Sequence, residues 1–200
     1  MISMERYRIT MKRHPEVYDP SDDTMLLVDN MNVSDADHVL EIGIGSGYVS
    51  LIAAITAATV TGIDVNPHAV KLAKTNARLN GISNVHFILG DLFSPVRGRF
   101  DLVMMNPPYL QSAKNLEKRF IDESWNGGID GREITNRFLS DVEYYLNPNG
   151  RALIVQSSLS GCDETIRELS QRGFNVETIA EKKLFFETLC LLKATRPERC

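Results

Sequence analysis

Short apolar runs alternate with helical patterns along most of the chain. The runs cover residues 39–42, 60–63, 85–89 and 100–105, and each is followed by glycine or a polar residue. This alternation is typical of parallel strands that are joined by helices. Apolar residues recur with helical spacing in four further segments, which predicts helices over residues 48–58, 69–79, 132–146 and 164–171.

The carboxyl-terminal part of the chain predicts a change of strand direction. A fifth strand is predicted over residues 152–155, after a turn at 147–150, and two last strands over 176–180 and 185–192. Because so short a segment separates the last two strands, we expect them to pair antiparallel. The sequence therefore predicts an α/β fold with a doubly wound, mostly parallel sheet of about seven strands and a terminal antiparallel hairpin. Ligands of such sheets bind beyond the carboxyl ends of the strands.

Composition and charge narrow the class of protein. The 200 residues include 22 Lys and Arg against 26 Asp and Glu, a net charge of −4, with 43% hydrophobic residues. These are globular values, and the acidic balance argues against binding nucleic acid mainly through its phosphates. Three widely spaced cysteines, Cys162, Cys190 and Cys200, lead us to expect no disulfide framework, no metal site and a reducing, cytoplasmic location.

A glycine-rich turn, Gly43, Gly45 and Gly47, closes the first predicted strand just after Glu41. Glycines let a backbone approach a ligand closely. The dinucleotide fingerprint G-x-G-x-x-G requires glycine where Tyr48 stands, and a carboxylate beside a pyrophosphate would be repulsive. The turn therefore disfavours NAD and favours S-adenosylmethionine, which carries an ammonium and a sulfonium group. The alternative is that the glycines serve only tight packing between strand and helix.

Acidic residues also end the second and third predicted strands. Asp64 is placed to accept hydrogen bonds from both ribose hydroxyls of a nucleoside cofactor. Asp91 could accept a hydrogen bond from an adenine amino group, or it could be a simple turn residue after Gly90. An acid at the end of each of the first three strands indicates a nucleoside cofactor.

The most specific short motif follows the fourth predicted strand and consists of Asn106, Pro107, Pro108 and Tyr109. A planar NH2 nitrogen is a poor nucleophile because its lone pair is delocalised. The Asn106 side-chain oxygen and the Pro107 carbonyl can each accept one N–H, which turns that lone pair toward a methyl donor. Tyr109 can lie over the planar group, and the prolines stiffen the loop. The target could be a glutamine amide or an adenine or guanine amine; alternatively, the motif is an ordinary turn.

The chain resembles the class I methyltransferases, which have a Rossmann-like fold, over about residues 18–193. The resemblance implies that Leu92 packs on the adenine ring of the cofactor. It also implies cofactor contacts at the positions that match the family's motifs, which are Glu41, Gly43, Gly45, Gly47, Asp64, Asp91 and Asn106.

Two further segments resemble the HemK-like release-factor glutamine methyltransferases, of the short archaeal and eukaryotic type. Residues 17–24 fit the pattern Y-x-P-x-x-D-T, and residues 125–132 read W-N-G-G-I-D-G-R. The resemblance places Thr24 beside the cofactor and implies that Tyr18 helps to close the pocket. Thr24 could also be a helix N-cap. Asp19 departs from the family, in which glutamate is more usual.

This resemblance implies a function in translation termination. We expect S-adenosylmethionine-dependent methylation of the side-chain amide of the glutamine in the Gly-Gly-Gln motif of a class I peptide chain release factor. Asn106, Pro107 and Tyr109 would be catalytic, and with Pro108 they would bind the substrate. A small zinc-binding activator subunit is a second expected partner, for which the strand at 85–89 is a candidate edge. Residues 110–130 could form a lid that meets the release factor.

The expected division of the chain has three parts. Residues 1–24 close the cofactor site, residues 25–195 form the methyltransferase domain, and residues 196–200 are a tail. Two other functions stay open: an amino methyltransferase that acts on tRNA, rRNA or DNA, and a cofactor-binding scaffold without activity.

Overall fold

A seven-stranded sheet forms the centre of the structure, a computed structural model that describes residues 2–4, 9–108 and 131–197. Before it, the short strands β1 (Ile2–Met4) and β2 (Ile9–Met11) pair antiparallel as a separate ribbon. The sheet strands are β3 (His38–Ile42), β4 (Thr59–Asp64), β5 (Val85–Leu89), β6 (Phe100–Met105), β7 (Leu146–Ser157), β8 (Asn175–Lys183) and β9 (Thr188–Thr195).

The sheet topology confirms the predicted fold class. The spatial order is β5-β4-β3-β6-β7-β9-β8. The first five strands in this order, β5, β4, β3, β6 and β7, are parallel to one another. Strand β9 runs antiparallel to both β7 and β8, so the predicted terminal hairpin is present. Strand β5 is an edge strand, as the sequence predicted.

Helices cover both faces of the sheet. They are α1 (Asp22–Asn30), α2 (Tyr48–Ala53), α3 (Pro67–Leu79), α4 (Glu133–Asp141) and α5 (Cys162–Gln171). One apolar cluster joins α1, α2 and α3 to strand residues such as Val39 and Met104. A second cluster joins α4 and α5 to the neighbouring strand residues Leu40 and Met105. Because successive strand residues point to opposite faces, the two clusters are the two layers of a doubly wound sheet.

Several predicted boundaries differ from the structure, among them the last strand, which begins at Thr188 and not at residue 185. Helix α2 ends at Ala53. The Asn84 side chain donates to the carbonyls of Ala54 and Ala57, at 2.9 and 3.0 Å, and so satisfies backbone acceptors that follow the helix. The predicted helix 132–146 is α4 followed by a 3₁₀ turn over Val142–Tyr145. The predicted turn at 147–150 is a bulge inside β7, which pairs with β6 on either side of it.

The expectation of no disulfide was wrong. Cys162 and Cys190 are bonded to each other, with 7.2 Å between their Cα atoms. They are 28 residues apart in the sequence, but the start of α5 lies beside β9 in the fold. Spacing along the chain carries no information on such a contact. No helix in the described ranges has the length and apolar character that crossing a membrane requires.

Two asparagines, Asn76 in α3 and Asn80 at its C-cap, hold the amino-terminal segment in place. Asn80 exchanges hydrogen bonds of 2.8 Å with the backbone of Thr10. Asn76 accepts from the Lys12 N–H at 2.8 Å and donates to the Ser46 carbonyl at 3.0 Å. The segment before α1 is therefore fastened to α3 and, through Asn76, to the glycine turn after β3.

Arg132 sets the position of α4. Its side chain is buried, and Nη1 donates to the carbonyls of Ser160 and Gly161 at 2.7 and 2.9 Å and to the Thr165 hydroxyl at 3.0 Å. Nε lies 3.4 Å from the Glu164 carboxylate. These partners follow β7 or belong to α5, so Arg132 ties the start of α4 to the carboxyl end of the sheet.

Gly47, immediately before α2, allows α2 and α3 to pack closely. Its φ of 81° is a left-handed conformation, which favours glycine. A Cβ atom at this position would lie 2.7 Å from the Ala73 Cβ and 3.1 Å from the Ala73 Cα in α3. Both the backbone conformation and the available space therefore require glycine here.

We expect Gly47→Ala to lower the free energy of unfolding by about 2–4 kcal/mol, because overpacking adds to the cost of a left-handed alanine. Gly81→Ala is the matched control, since Gly81 has a φ of 67° and open space around its Cα. It should lose only about 1 kcal/mol. Urea unfolding measures both, and equal losses would contradict the packing constraint.

We expect Arg132→Met to lower the free energy of unfolding by about 3–5 kcal/mol, because it leaves buried acceptors unpaired. Arg137→Met is the control from the same region. Arg137 is exposed and forms an ion pair with Asp91, which at the surface is worth about 1 kcal/mol or less. Denaturant unfolding of both variants would refute the anchoring role if Arg132→Met were no more destabilising than the control.

Candidate active site

A cavity of about 440 Å³ lies at the carboxyl ends of β3, β4, β5 and β6. Its remaining walls come from the segment before α1, from the first turns of α1 and α2, and from the first half of α4. It brings together most of the residues that the sequence predicted for a site, namely Thr24, Glu41, Gly43, Gly45, Asp64, Asp91, Leu92, Asn106, Pro107 and Pro108. Gly47 is not in the lining, and Tyr109 lies outside the described residues.

Glu41 is a buried carboxyl group at the floor of this cavity, with 3% of the residue exposed. The hydroxyl of Ser50 in α2 donates a hydrogen bond to its Oε2. Burial raises the pKa of Glu41 from the ordinary 4.5 to about 8, and the hydrogen bonds from Ser50 only partly oppose this. The carboxyl group is therefore mostly protonated at neutral pH, and a cation bound beside it would favour loss of the proton.

Asp64 holds the glycine turn from the end of β4. Its Oδ2 accepts from the Gly45 N–H at 2.9 Å, and its Oδ1 accepts from the Asn66 N–H at 2.8 Å. Burial raises the pKa of Asp64, and these backbone hydrogen bonds oppose the rise. The Val65 N–H is a third backbone donor to this carboxylate. Because a carboxylate can accept about four hydrogen bonds, Asp64 keeps room for one donor from the cavity.

Asp91 and Arg137 form an ion pair of 2.6 Å between the end of β5 and α4. About half of each side chain is exposed. Leu92, the next residue, also lines the cavity and has a φ of 46°, which is unusual for leucine. Asp91 itself raises the pKa of Arg137, so the guanidinium stays charged.

Asn106 supplies the most unusual polar atom of the site. Its Oδ1 is buried and accepts no hydrogen bond from any residue in the described part of the chain. An unpaired buried acceptor costs about 1–3 kcal/mol, so native structures rarely keep one. Asn106 lines the cavity with Pro107 and Pro108, and a Cβ atom added to Gly43 would lie 3.9 Å from the Asn106 carbonyl. The loops after β3 and β6 therefore face each other. The Asn106 Oδ1 is an acceptor that suits an N–H donor.

The segment before α1 carries a hydrogen-bonded group at the cavity wall. Tyr18 donates to both carboxylate oxygens of Asp23, at 3.0 and 3.1 Å, and burial together with Asp23 raises the pKa of Tyr18. Asp23 is buried and accepts from the Thr24 N–H at 2.6 Å. The N-cap of α1 is Ser21 and not Thr24, whose hydroxyl instead accepts from the Ser21 N–H at 3.3 Å. Asp19 lies apart, in an exposed ion pair with Arg13.

The sequence did not point to the residues that α4 contributes. Glu133, Ile134 and Arg137 line the cavity. No short motif marks them, because they reach the cavity only through the buried anchor Arg132. The sequence did contain an indication of Asp23, since it is the acidic residue of the Y-x-P-x-x-D-T pattern. The predicted lid over residues 110–130 lies outside the described residues.

Comparison with known proteins identifies the family. The sequence model of the methyltransferase small domain matches residues 9–186. A Methanocaldococcus jannaschii protein named "Putative protein N5-glutamine methyltransferase MJ0928" is 45% identical, over 94% of this chain and 96% of that protein. Methyltransferase HEMK2 of Homo sapiens is 30% identical over 90% of each chain. A release factor glutamine methyltransferase of Geobacter sulfurreducens is 32% identical over 80% of this chain and 60% of that protein.

A solved structure supports the same fold. Mtq2 in the E. cuniculi Mtq2–Trm112 complex, described as responsible for methylation of the eRF1 translation termination factor, superposes with a TM-score of 0.73. It is 21% identical, over 90% of this chain and 99% of that chain. The chain therefore belongs to the methyltransferase small domain family, as a class I methyltransferase homologous to HEMK2 and to the release factor glutamine methyltransferases.

Proposed function

We propose that this chain methylates the side-chain amide of the glutamine in the Gly-Gly-Gln motif of a class I peptide chain release factor. The buried Oδ1 of Asn106, which accepts no hydrogen bond from the described residues and belongs to a residue that lines the cavity, is the observation that carries this proposal. It is the acceptor that a planar NH2 group needs. The names of the relatives favour glutamine as the target, and the Mtq2 structure is described with a termination factor as substrate.

We propose S-adenosylmethionine as the cofactor, because the residues of the cavity fit its groups. A cation beside the buried Glu41 would stabilise the carboxylate, and Gly43 and Gly45 leave the backbone open to a ligand. Asp64 has acceptor capacity for a ribose hydroxyl. Asp91 and Leu92 would hold the adenine, and Thr24 also lines the cavity. The bound cofactor supplies a methyl group on a positively charged sulfur.

The protein's part in the reaction is to orient the substrate nitrogen. Asn106 Oδ1 accepts one amide N–H and the Pro107 carbonyl accepts the other, so the nitrogen is held and its lone pair is directed at the methyl carbon. The two prolines limit motion of the loop, and Tyr109 would lie over the amide plane. The methylated nitrogen becomes acidic and loses its proton afterwards, so no general base is needed.

We propose that residues 1–24 close the cofactor site over the domain of residues 25–195, with 196–200 as a tail. The presence of Tyr18, Pro20 and Thr24 in the lining of the cavity supports this division. A small activator subunit, which would bind zinc by resemblance to the family, is a proposed partner at the edge strand β5. Ile88 and Leu89 expose apolar surface on that strand, with 36% and 55% of each residue accessible.

The direct test of the function uses purified protein, S-adenosylmethionine and the class I release factor of the same organism, together with any activator that copurifies. We expect the release factor to gain the mass of one methyl group on the Gly-Gly-Gln glutamine. Asn106→Ala should lower kcat by about 10³-fold, because it removes the acceptor that orients the nitrogen, and leave the Kd for the cofactor within about threefold.

Asn175→Ala is the matched control for that variant. Asn175 is an exposed asparagine at the start of β8, at the opposite edge of the sheet from the cavity, so its removal should leave the rate unchanged. Methylation of a tRNA, rRNA or DNA amine in place of the release factor would overturn the proposal in favour of a nucleic-acid enzyme. Full activity of Asn106→Ala would contradict the proposed role of the acceptor.

The raised pKa of Glu41 predicts that cofactor binding releases a proton. With a pKa of about 8 the free carboxyl group is mostly protonated at pH ~7, and the cationic cofactor should ionise it. Calorimetry in buffers of different ionisation heat should report up to about 0.9 proton released per cofactor near pH ~7, and almost none above pH ~9. Glu41→Gln should abolish the release, whereas an unchanged release would assign it to another group.

A further inference from the structure

The turn between β8 and β9 presents two aromatic side chains to solvent. Phe185 is 92% exposed and Phe186 is 84% exposed, the largest fractions among the large apolar residues that the structure describes. Their rings pack edge to face with centroids 4.6 Å apart. Leu159, in the neighbouring 3₁₀ turn over Ser158–Ser160, is 62% exposed. We call these three side chains the hairpin surface.

Hydrogen bonds fix the backbone that carries the hairpin surface. The Leu184 N–H donates to the Glu187 carbonyl at 2.8 Å and closes the turn. The Glu187 carboxylate accepts from the Ser157 hydroxyl at the end of β7. The Ser158 hydroxyl accepts from the Thr188 N–H at 3.0 Å, which joins the 3₁₀ turn to β9. The aromatic pair is therefore held in place although it buries little surface in the fold.

The hairpin surface lies at the same edge of the sheet as the active site. Met105 at the end of β6 pairs with Ile154 of β7, and Ser157 of β7 pairs with Leu189 of β9. The turn is thus two strands away from β6, and it lies several residues beyond the carboxyl end of β6. Strand spacing and rise place it roughly 15–20 Å from Asn106.

Helix α1 contacts the hairpin and also contributes to the cavity. Lys182 near the end of β8 forms an ion pair of 2.8 Å with Asp22 in the first turn of α1. Two residues further on, Thr24 lines the cavity. A macromolecule whose side chain enters the cavity would extend over α1 and reach the hairpin.

We propose that the hairpin surface docks the protein substrate, the release factor, outside its Gly-Gly-Gln loop. A single loop in the cavity buries far less than the roughly 800 Å² per partner of a stable protein interface, so further contact is needed. Aromatic residues, phenylalanine included, are enriched in protein interfaces. A nucleic acid would require a basic track beside them, whereas the residues just before the turn supply Lys183 and Lys182, which is paired with Asp22, and the chain has a net charge of −4. This inference rests on the proposed function.

The test compares the double variant Phe185→Ser/Phe186→Ser with wild type on two substrates. For the intact release factor we expect KM to rise roughly 10- to 100-fold with kcat within about twofold, because docking is lost and the chemistry is untouched. For a short Gly-Gly-Gln loop peptide, which cannot reach the hairpin, kcat/KM should not change. Ile55→Ser is the matched control, since Ile55 is 59% exposed but lies after α2, away from the cavity.

Binding of a release factor whose target glutamine is replaced by alanine separates docking from catalysis. Wild type should still bind it, and the double variant should bind at least about tenfold more weakly, with unchanged thermal unfolding of the enzyme. An unchanged KM and Kd in the double variant would overturn the docking proposal and leave the proposed function intact. The docking proposal would also be overturned if light scattering showed that wild type is a dimer and the double variant is a monomer, while KM is the same for both. Absence of methylation by wild type would instead refute the proposed function.

Discussion

A buried amide oxygen that accepts no hydrogen bond from the described residues is the central constraint of this candidate active site. Asn106 sits at the end of a central strand, and its Oδ1 accepts no hydrogen bond from the described residues. Proteins normally satisfy such atoms, because an unpaired buried acceptor costs about 1–3 kcal/mol. The two following prolines have no N–H to donate to it, so the local sequence itself preserves the unpaired acceptor. In the proposed reaction, this acceptor would bind one N–H of the planar NH2 group.

The three carboxyl groups around the cavity differ in burial and in hydrogen-bond partners. Glu41 is buried with a single hydroxyl partner, so burial dominates and its pKa rises to about 8. Asp64 is held by backbone N–H groups, which fasten the glycine turn to the neighbouring strand. Asp91 is half exposed and paired with Arg137. Glu41 would ionise beside a bound cation, Asp64 sets the shape of the turn, and Asp91 is accessible from solvent.

The parts that local patterns encode could be predicted from the sequence. Strands β3 to β6 appear as apolar runs, and because parallel strands end at one edge, the residues after them had to meet. Arg137, Glu133 and the disulfide could not be predicted, since each depends on how distant segments pack. The position of α4 follows from one buried arginine with partners some thirty residues away. Pairing of Cys162 with Cys190 likewise requires the start of α5 to lie beside β9. Gly47 lies in the predicted turn, but only the structure reveals its contact with Ala73.

A crystal structure with S-adenosylhomocysteine and a Gly-Gly-Gln peptide tests the central claim most directly. The account predicts the glutamine nitrogen at about 3 Å from both Asn106 Oδ1 and the Pro107 carbonyl oxygen, with the adenosyl group between Asp64 and Asp91. A glutamine amide bound elsewhere, with Asn106 Oδ1 still lacking a partner, would contradict it.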